Sequence, residues 1–249
     1  MFSEQRLLVV SAHSADWVWR SSGTIAKYLA GGAEVYVVCL TYGARGESAS
    51  LWQTSDQTTE NVKKTRYQES INAAGVLGVT NFEMWDFNDC MLEVDSKILQ
   101  RLNDKMREVR PTLVITHDAR DVTNPDHGFA SEIVYRAAIM SRQAGIETGG
   151  LKHTKPFPIY GFEASEPERS GFVPMVYIDI TDFFEKKLEA MKCIETQTEG
   201  PSIHTRLNTH RGWQASRTIG DKSIVYAEAF TMSDPLVASE LPVLKIQSF

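Results

Sequence analysis

Cysteine is scarce in this 249-residue chain: Cys39, Cys90 and Cys193 are far apart and odd in number. That argues against a disulfide-stapled scaffold and suits a reducing compartment. A surplus of cations is lacking too. Lysine and arginine total 26 against 32 aspartates and glutamates, a formal net charge of −6. This argues against a nucleic-acid partner, because binding polyphosphate needs a basic face. No apolar run approaches the ~20 residues that cross a bilayer. The opening "MFSEQRLLVVSA" has an early acidic residue and only a short apolar run, unlike a secretory leader. Together these absences predict a cytoplasmic protein with no membrane contact, folded as a single domain over residues 1–249.

What is present is an alternation of short β-branched runs with helix-period segments, the pattern of βαβ units. Strands are expected at 7–12, 33–41, 81–87 and 112–117, and less regularly near 158–163 and 175–180. Helices are expected over about 17–30, 60–75, 95–109, 127–142 and 182–196. The expected fold is therefore α/β, a Rossmann-like, mostly parallel β-sheet flanked by helices. The polar loop 42–59, with Gly43 and Gly46, is long enough to suggest a functional role. The pattern weakens over 143–175, and the last 20 residues give no clear period.

In open α/β sheets the functional crevice lies beyond the carboxyl ends of the strands. His13 follows strand one in "VVSAHSADWVWR", Glu47 sits in the loop after strand two, and His127 follows strand four. All can meet at one end of the sheet. His13, Asp16 and His127 would make a two-imidazole, one-carboxylate metal set with a position left open, which suits Zn2+ and also Fe2+ or another divalent transition metal. Plainer roles stay open: Asp16 suits a helix N-cap, and His127 could satisfy loop carbonyls. Asp126 could orient a ligand imidazole or sit solvated in a turn. His117 ends strand four, where it could support the site.

"SAHSADWVWRSSGTIA" and "RPTLVITHDARDVTNPDH" resemble the two signature motifs of the PIG-L/LmbE-like metal-dependent deacetylases. "RYQESINAAGVLGV", "KKLEAMKCIETQ" and "HRGWQASRTIGDKSIVYAEAF" resemble later family segments in the expected order, up to about residue 230. The resemblance implies a Rossmann-like sheet, metal ligands at His13, Asp16 and His127, and a homo-oligomer. It also exposes departures. The family's general base is the first aspartate of an Asp-Asp pair, and here that position is Ala15, which accepts no proton. The glutamate after the pair is Trp17, and the first histidine of the second motif is Asn124, left beside Asp126 in a supporting role.

Glu47, on its glycine-flanked loop, is the best substitute base, with His153 in "LKHTKP" a second candidate acid/base. "AHSADWVWR" with "GARGES" resembles a subset of the family that hydrates 4-oxalomesaconate (4-carboxy-2-hydroxymuconate) in aromatic catabolism. The resemblance thus implies a metal-dependent hydratase acting on a small unsaturated polycarboxylate. Arg20, Arg45 and Arg66 would be the guanidinium partners of its carboxylates. Alternatives are an N-acetyl (GlcNAc-type) deacetylase or amidohydrolase that recruits Glu47, and a binding protein that has lost its base. Trp17 and Trp19 suit either a narrowed pocket or the core.

Overall fold

The computed structural model describes residues 2–235, 237, 239 and 240. Seven strands form one sheet: β1 (Arg6–Ser11), β2 (Glu34–Thr41), β3 (Asn81–Phe87), β4 (Leu113–His117), β5 (Ile159–Phe162), β6 (Val176–Asp179) and β7 (Ala227–Met232). Their spatial order is β3-β2-β1-β4-β5-β7-β6. The first five are parallel, while β7 runs antiparallel to both β5 and β6. This is the α/β, Rossmann-like sheet that the strand-helix alternation predicts.

The helices are α1 (Asp16–Ala30), α2 (Thr59–Leu77), α3 (Ser96–Val109), α4 (Pro125–Ser141), the short α5 (Pro167–Ser170), α6 (Phe184–Lys192) and α7 (Gly200–Ile219). They cover both faces, so the central strands are apolar on both sides. Leu7 and Val9 of β1 point into a layer with Trp17 and Ile25 of α1, Ala73 and Leu77 of α2, and Met191 of α6. Leu8 and Val10 alternate into the opposite layer with Ile98 and Met106 of α3 and Ile133 and Val134 of α4.

Local signals set the helix ends. Thr58 caps α2 by accepting from the Asn61 N–H, and Gly78 closes that helix in the left-handed region at φ 87°. Asn124 caps α4 by accepting from the Asp126 N–H, with Pro125 in the first turn. This helix therefore begins two residues earlier than its apolar period suggests, and His127 lies in its first turn.

Two elements escape the sequence pattern. The 20-residue α7 buries Asn208, Arg211, Gly212 and Ala215, so its inward face carries no apolar period. Strand β7 buries Glu228, its second residue. Most of the last 20 residues lie outside the described set. Among the described residues, no helix is long and apolar enough to cross a membrane.

The order of winding reverses between β1 and β4, which pair side by side and parallel. The crevice beyond their carboxyl ends is the expected ligand position in such a sheet. It receives the turn after β1, the loop after β2 and the loop after β4.

Candidate active site

The turn after β1 holds His13 and Asp16. Ala15 takes the N-cap position of α1 and offers no side-chain cap. Asp16, the first helical residue, does not take that role either: its Oδ2 accepts the His13 N–H at 2.8 Å. A carboxylate at this helix start is favoured by the unpaired N–H groups and the dipole. Three buried side chains, His13, Asp16 and His127, present ligand atoms that all lie within 4.8 Å of one another. His13 Nδ1 is 3.1 Å from Asp16 Oδ2, and His127 Nε2 is 3.4 Å from Asp16 Oδ1.

The distal nitrogens are held from behind, as ligand imidazoles usually are. His13 Nε2 is 3.2 Å from Asp126 Oδ2, and His127 Nδ1 is 2.9 Å from Asp121 Oδ2. His127 Nε2, buried and facing Asp16, has no hydrogen-bond partner. An orphaned nitrogen on an imidazole fixed at its other end fits a metal ligand, and the donor set suits a divalent transition ion. The cluster can thus hold a metal ion.

Electrostatics agree. Burial works to lower the His13 pKa, but the charge of Asp16 and hydrogen bonds to Asp126 and Asp16 outweigh it and bring the group to about 10. Burial works to raise Asp16, yet His127, His117 and His13 hold it well below the usual carboxylate range. His117 is the opposite case: burial and the neighbouring His127 push it down to about 3. Its Nε2 accepts the Ala12 N–H at 2.9 Å, and its ring stacks on His127 with centroids 4.1 Å apart. It is a neutral wall behind the cluster. Hydrogen bonds from His127 and Thr123 keep Asp121 ionised against the effect of burial.

The 42–58 loop brings Glu47 to the same place. Asp89 accepts the backbone N–H of Arg45 at 2.6 Å and of Gly46 at 2.8 Å, and Ser48 Oγ donates to the Gly43 carbonyl. Gly43 has φ +64°, and a Cβ there would stand 3.1 Å from both the Glu47 and His13 Cβ atoms. Glycine is therefore required where this loop passes the β1 turn. Glu47 Oε1 ends 4.0 Å from His13 Nδ1 and accepts from Asn124 Nδ2 at 2.7 Å, while Oε2 accepts from Gln197 Nε2 at 2.8 Å.

Both amides are locked in the donor sense. Gln197 Oε1 accepts from Trp19 Nε1 at 3.1 Å, and Asn124 Oδ1 accepts the Asp126 N–H at 3.0 Å. Each amide therefore has to turn its NH2 toward Glu47. Trp19 is in turn fitted against Gly200, where a Cβ would stand 2.5 Å from the indole Cη2. Trp17 belongs to the core, with its Nε1–H donating to the Ser14 carbonyl at 3.0 Å.

A cleft of about 510 Å³ opens onto the cluster and is lined by Asp16, Arg20, Glu47, Asn124, His127 and His204, among others. Arg20 is the one guanidinium of the expected three in that lining. It donates to Ser165 Oγ at 2.7 Å and to the Glu163 carbonyl, and its Nε is buried without a partner. Arg45 is engaged with Asn88 at 3.1 Å and Asp89 at 3.6 Å, outside the cleft lining. Arg66 is completely buried, bound to Glu69 at 2.8 Å and to Thr196 Oγ1. Its site is structural: it braces the Thr196–Gln197 segment that holds Glu47.

His153 is exposed and adjacent to Thr154, whose N–H donates to the Ser141 carbonyl at the carboxyl end of α4. His127 sits in the first turn of that helix, which spans about 25 Å at 1.5 Å per residue. The fold does not bring His153 to the cleft. Sequence reasoning overlooked Asp121, Gln197 and His204. Asp121 lies six residues before a candidate ligand, a spacing that loop geometry alone converts into contact. Gln197 and His204 flank a helix start with no apolar period.

A family model described as PIG-L: GlcNAc-PI de-N-acetylase matches residues 8–138. The 4-oxalmesaconate hydratase of Pseudomonas putida KT2440 is 38% identical over 241 residues, covering 96% of this chain and 93% of that protein. The crystal structure of GalB, the 4-carboxy-2-hydroxymuconate hydratase from Pseudomonas putida KT2440, matches with TM-score 0.91 at 38% identity, over 96% of this chain and all of the other. N,N'-diacetylchitobiose deacetylase from Pyrococcus horikoshii matches with TM-score 0.77 at 20% identity, over 92% of this chain and 84% of that one, a likeness of fold.

Proposed function

The chain belongs to the PIG-L (GlcNAc-PI de-N-acetylase) family, and from that premise we propose that it is a metal-dependent hydratase. Its substrate is a small unsaturated oxo or hydroxy polycarboxylate, 4-oxalomesaconate (4-carboxy-2-hydroxymuconate) in this reading. One observation carries the choice of hydration over amide hydrolysis. The family's base position is the methyl group of Ala15, while the carboxylate facing the cluster is Glu47, mounted on a loop and held by two amides. The 38% identity to the hydratase of Pseudomonas putida over nearly the whole chain supports the same reading.

His13, Asp16 and His127 would hold the ion, Zn2+ in this reading with Fe2+ the alternative. When bound, it supplies Lewis-acid polarisation of the substrate's oxo or carboxylate oxygens. Arg20 Nε lies 3.9 Å from Asp16 and its Nη2 3.8 Å from Asp121, and its guanidinium, in the lining of the cleft, would meet a substrate carboxylate there. Glu47 takes the proton of the attacking water, as its carboxylate, held by two amide donors beside the cluster, is placed to do. Asn124 and Gln197 hold that carboxylate in place, and Asp126 and Asp121 hold the two ligand imidazoles. Three unpaired cysteines fit the reducing cytoplasm. Self-association, part of the same reading, is checked by light scattering.

The test mixes metal-loaded protein with 4-carboxy-2-hydroxymuconate and follows the conjugated ultraviolet band, beside an acetate-release assay on N-acetylglucosamine conjugates. Rapid loss of the band without acetate release is the expected result. Acetate release with an unchanged band would make the chain a deacetylase that uses Glu47 in place of the missing aspartate. Metal binding with neither reaction would make it a binding protein.

A further inference from the structure

Adding water across a carbon–carbon double bond needs two proton transfers. One group takes a proton from water, and another gives a proton to the carbon beside the one that is hydroxylated. Glu47 fills the first role. The second is unassigned, because His153 is exposed outside the lining of the cleft.

The described histidines narrow the choice. His13 and His127 are committed to Asp16, Asp126 and Asp121, and His117 accepts the Ala12 N–H. His210 is exposed beside Trp213. His204, on the second turn of α7, lines the cleft together with Asp16 and Glu47, half-buried, with neither ring nitrogen hydrogen-bonded. Its ring lies flat on Trp19, centroids 5.4 Å apart and planes 4° from parallel. The indole that orients Gln197, and through it Glu47, therefore also sets the plane of His204. Glu199, the other unassigned titratable group of the lining, is an exposed carboxylate that a polyanionic substrate would repel.

We infer that His204 is the second proton-transfer residue of this cleft, an inference that rests on the hydratase reading. Water's oxygen forms the new C–O bond as its proton passes to Glu47. The π pair moves to the neighbouring carbon and takes a proton from the His204 imidazolium, leaving neutral imidazole. Glu47 releases its proton to solvent when product leaves, and the next polycarboxylate to bind draws one from solvent onto His204, so the cycle closes.

The charges facing the ring suit this coupling. Burial and the cations of Lys187 and Arg20 hold its pKa well below the ordinary value, against the pull of Asp16; Glu163 and Glu228 line the adjoining hollow. A bound polycarboxylate offsets those cations and draws a proton onto the ring.

His204→Asn and His204→Gln are compared with wild type and with His153→Asn by steady-state kinetics on 4-carboxy-2-hydroxymuconate. Alongside, the His204 ring resonances are followed by NMR as citrate, a saturated tricarboxylate, is added. We expect kcat to fall at least 100-fold in both His204 variants, KM to stay within about threefold, and citrate to raise the pH at which the ring titrates. Near-wild-type kcat in the His204 variants, or a rise confined to KM, overturns the assignment while the hydratase reading stands. Loss of activity in His153→Asn alone also overturns it, because the proton then comes from a second copy. A wild type that leaves the substrate unchanged overturns the hydratase reading, and the assignment with it.

Discussion

Gln197 Nε2 donates to Glu47 Oε2 at 2.8 Å, across 150 residues of sequence. The contact joins the segment just before α7 to the loop after β2. With Asn124 Nδ2 donating to its other oxygen, the Glu47 carboxylate is held in place by two amide donors. Gln197→Leu keeps the bulk and removes the donor. Its kcat should drop by about 10- to 100-fold with metal affinity unchanged, read by steady-state kinetics and a chelator competition.

Asp121 is the partner of His127 Nδ1 at 2.9 Å and also accepts the Ser165 N–H at 3.1 Å. Asp121→Asn leaves the ring in place with a weaker acceptor behind it. Metal affinity should fall by about 10- to 100-fold, and excess metal should restore most of the activity. Equilibrium dialysis at several metal concentrations checks it.

Protons compete with the metal at His13. In the metal-free protein this imidazole titrates at about 10, above its ordinary value, so the stabilisation it draws from Asp16 and Asp126 is full below about 6.5 and is lost as pH rises through 10. A metal ion must displace that proton throughout this window. Apparent affinity should therefore rise with pH, by about tenfold per unit between 6.5 and 9, with about one proton released per ion. Calorimetry in two buffers of different ionisation enthalpy counts the proton.

Behind the site, the buried Lys187–Glu228 pair clamps α1. Lys187 Nζ donates to the Trp19 carbonyl at 2.7 Å and to Glu228 at 2.6 Å, and Glu228 accepts the Gly23 and Thr24 N–H groups. Lys187→Met strands a buried carboxylate and should cost about 3–5 kcal/mol. Lys187→Met with Glu228→Gln should recover part of that loss. Urea unfolding of the three proteins reports both values.

Much of this architecture is legible in the chain. β1 to β4 and α1 to α4 fall where the alternation of β-branched and helix-forming segments puts them, and the carboxyl ends of those strands locate the crevice. His13, Asp16 and His127 come together because they follow strands that are neighbours in the sheet. The illegible parts share one cause, recognition through polar contacts between distant segments. α7 packs on Asn208 and Arg211, so neither the helix nor His204 on it announces itself by hydrophobic spacing. Arg66 reads as a substrate partner in sequence, yet it is paired with Glu69 and hydrogen-bonded to Thr196 in the interior. His153 fails for a geometric reason: the α4 helix carries the chain away from the cleft before that residue is reached.

The central claim is that the water-activating carboxylate has moved from the helix junction, now Ala15, to Glu47 on the loop. The direct measurement is turnover of 4-carboxy-2-hydroxymuconate by metal-loaded Glu47→Gln, with metal content measured on the same sample. Wild-type metal content and a kcat lower by about 100- to 10,000-fold are expected. Wild-type turnover in Glu47→Gln would contradict that claim and place the base elsewhere.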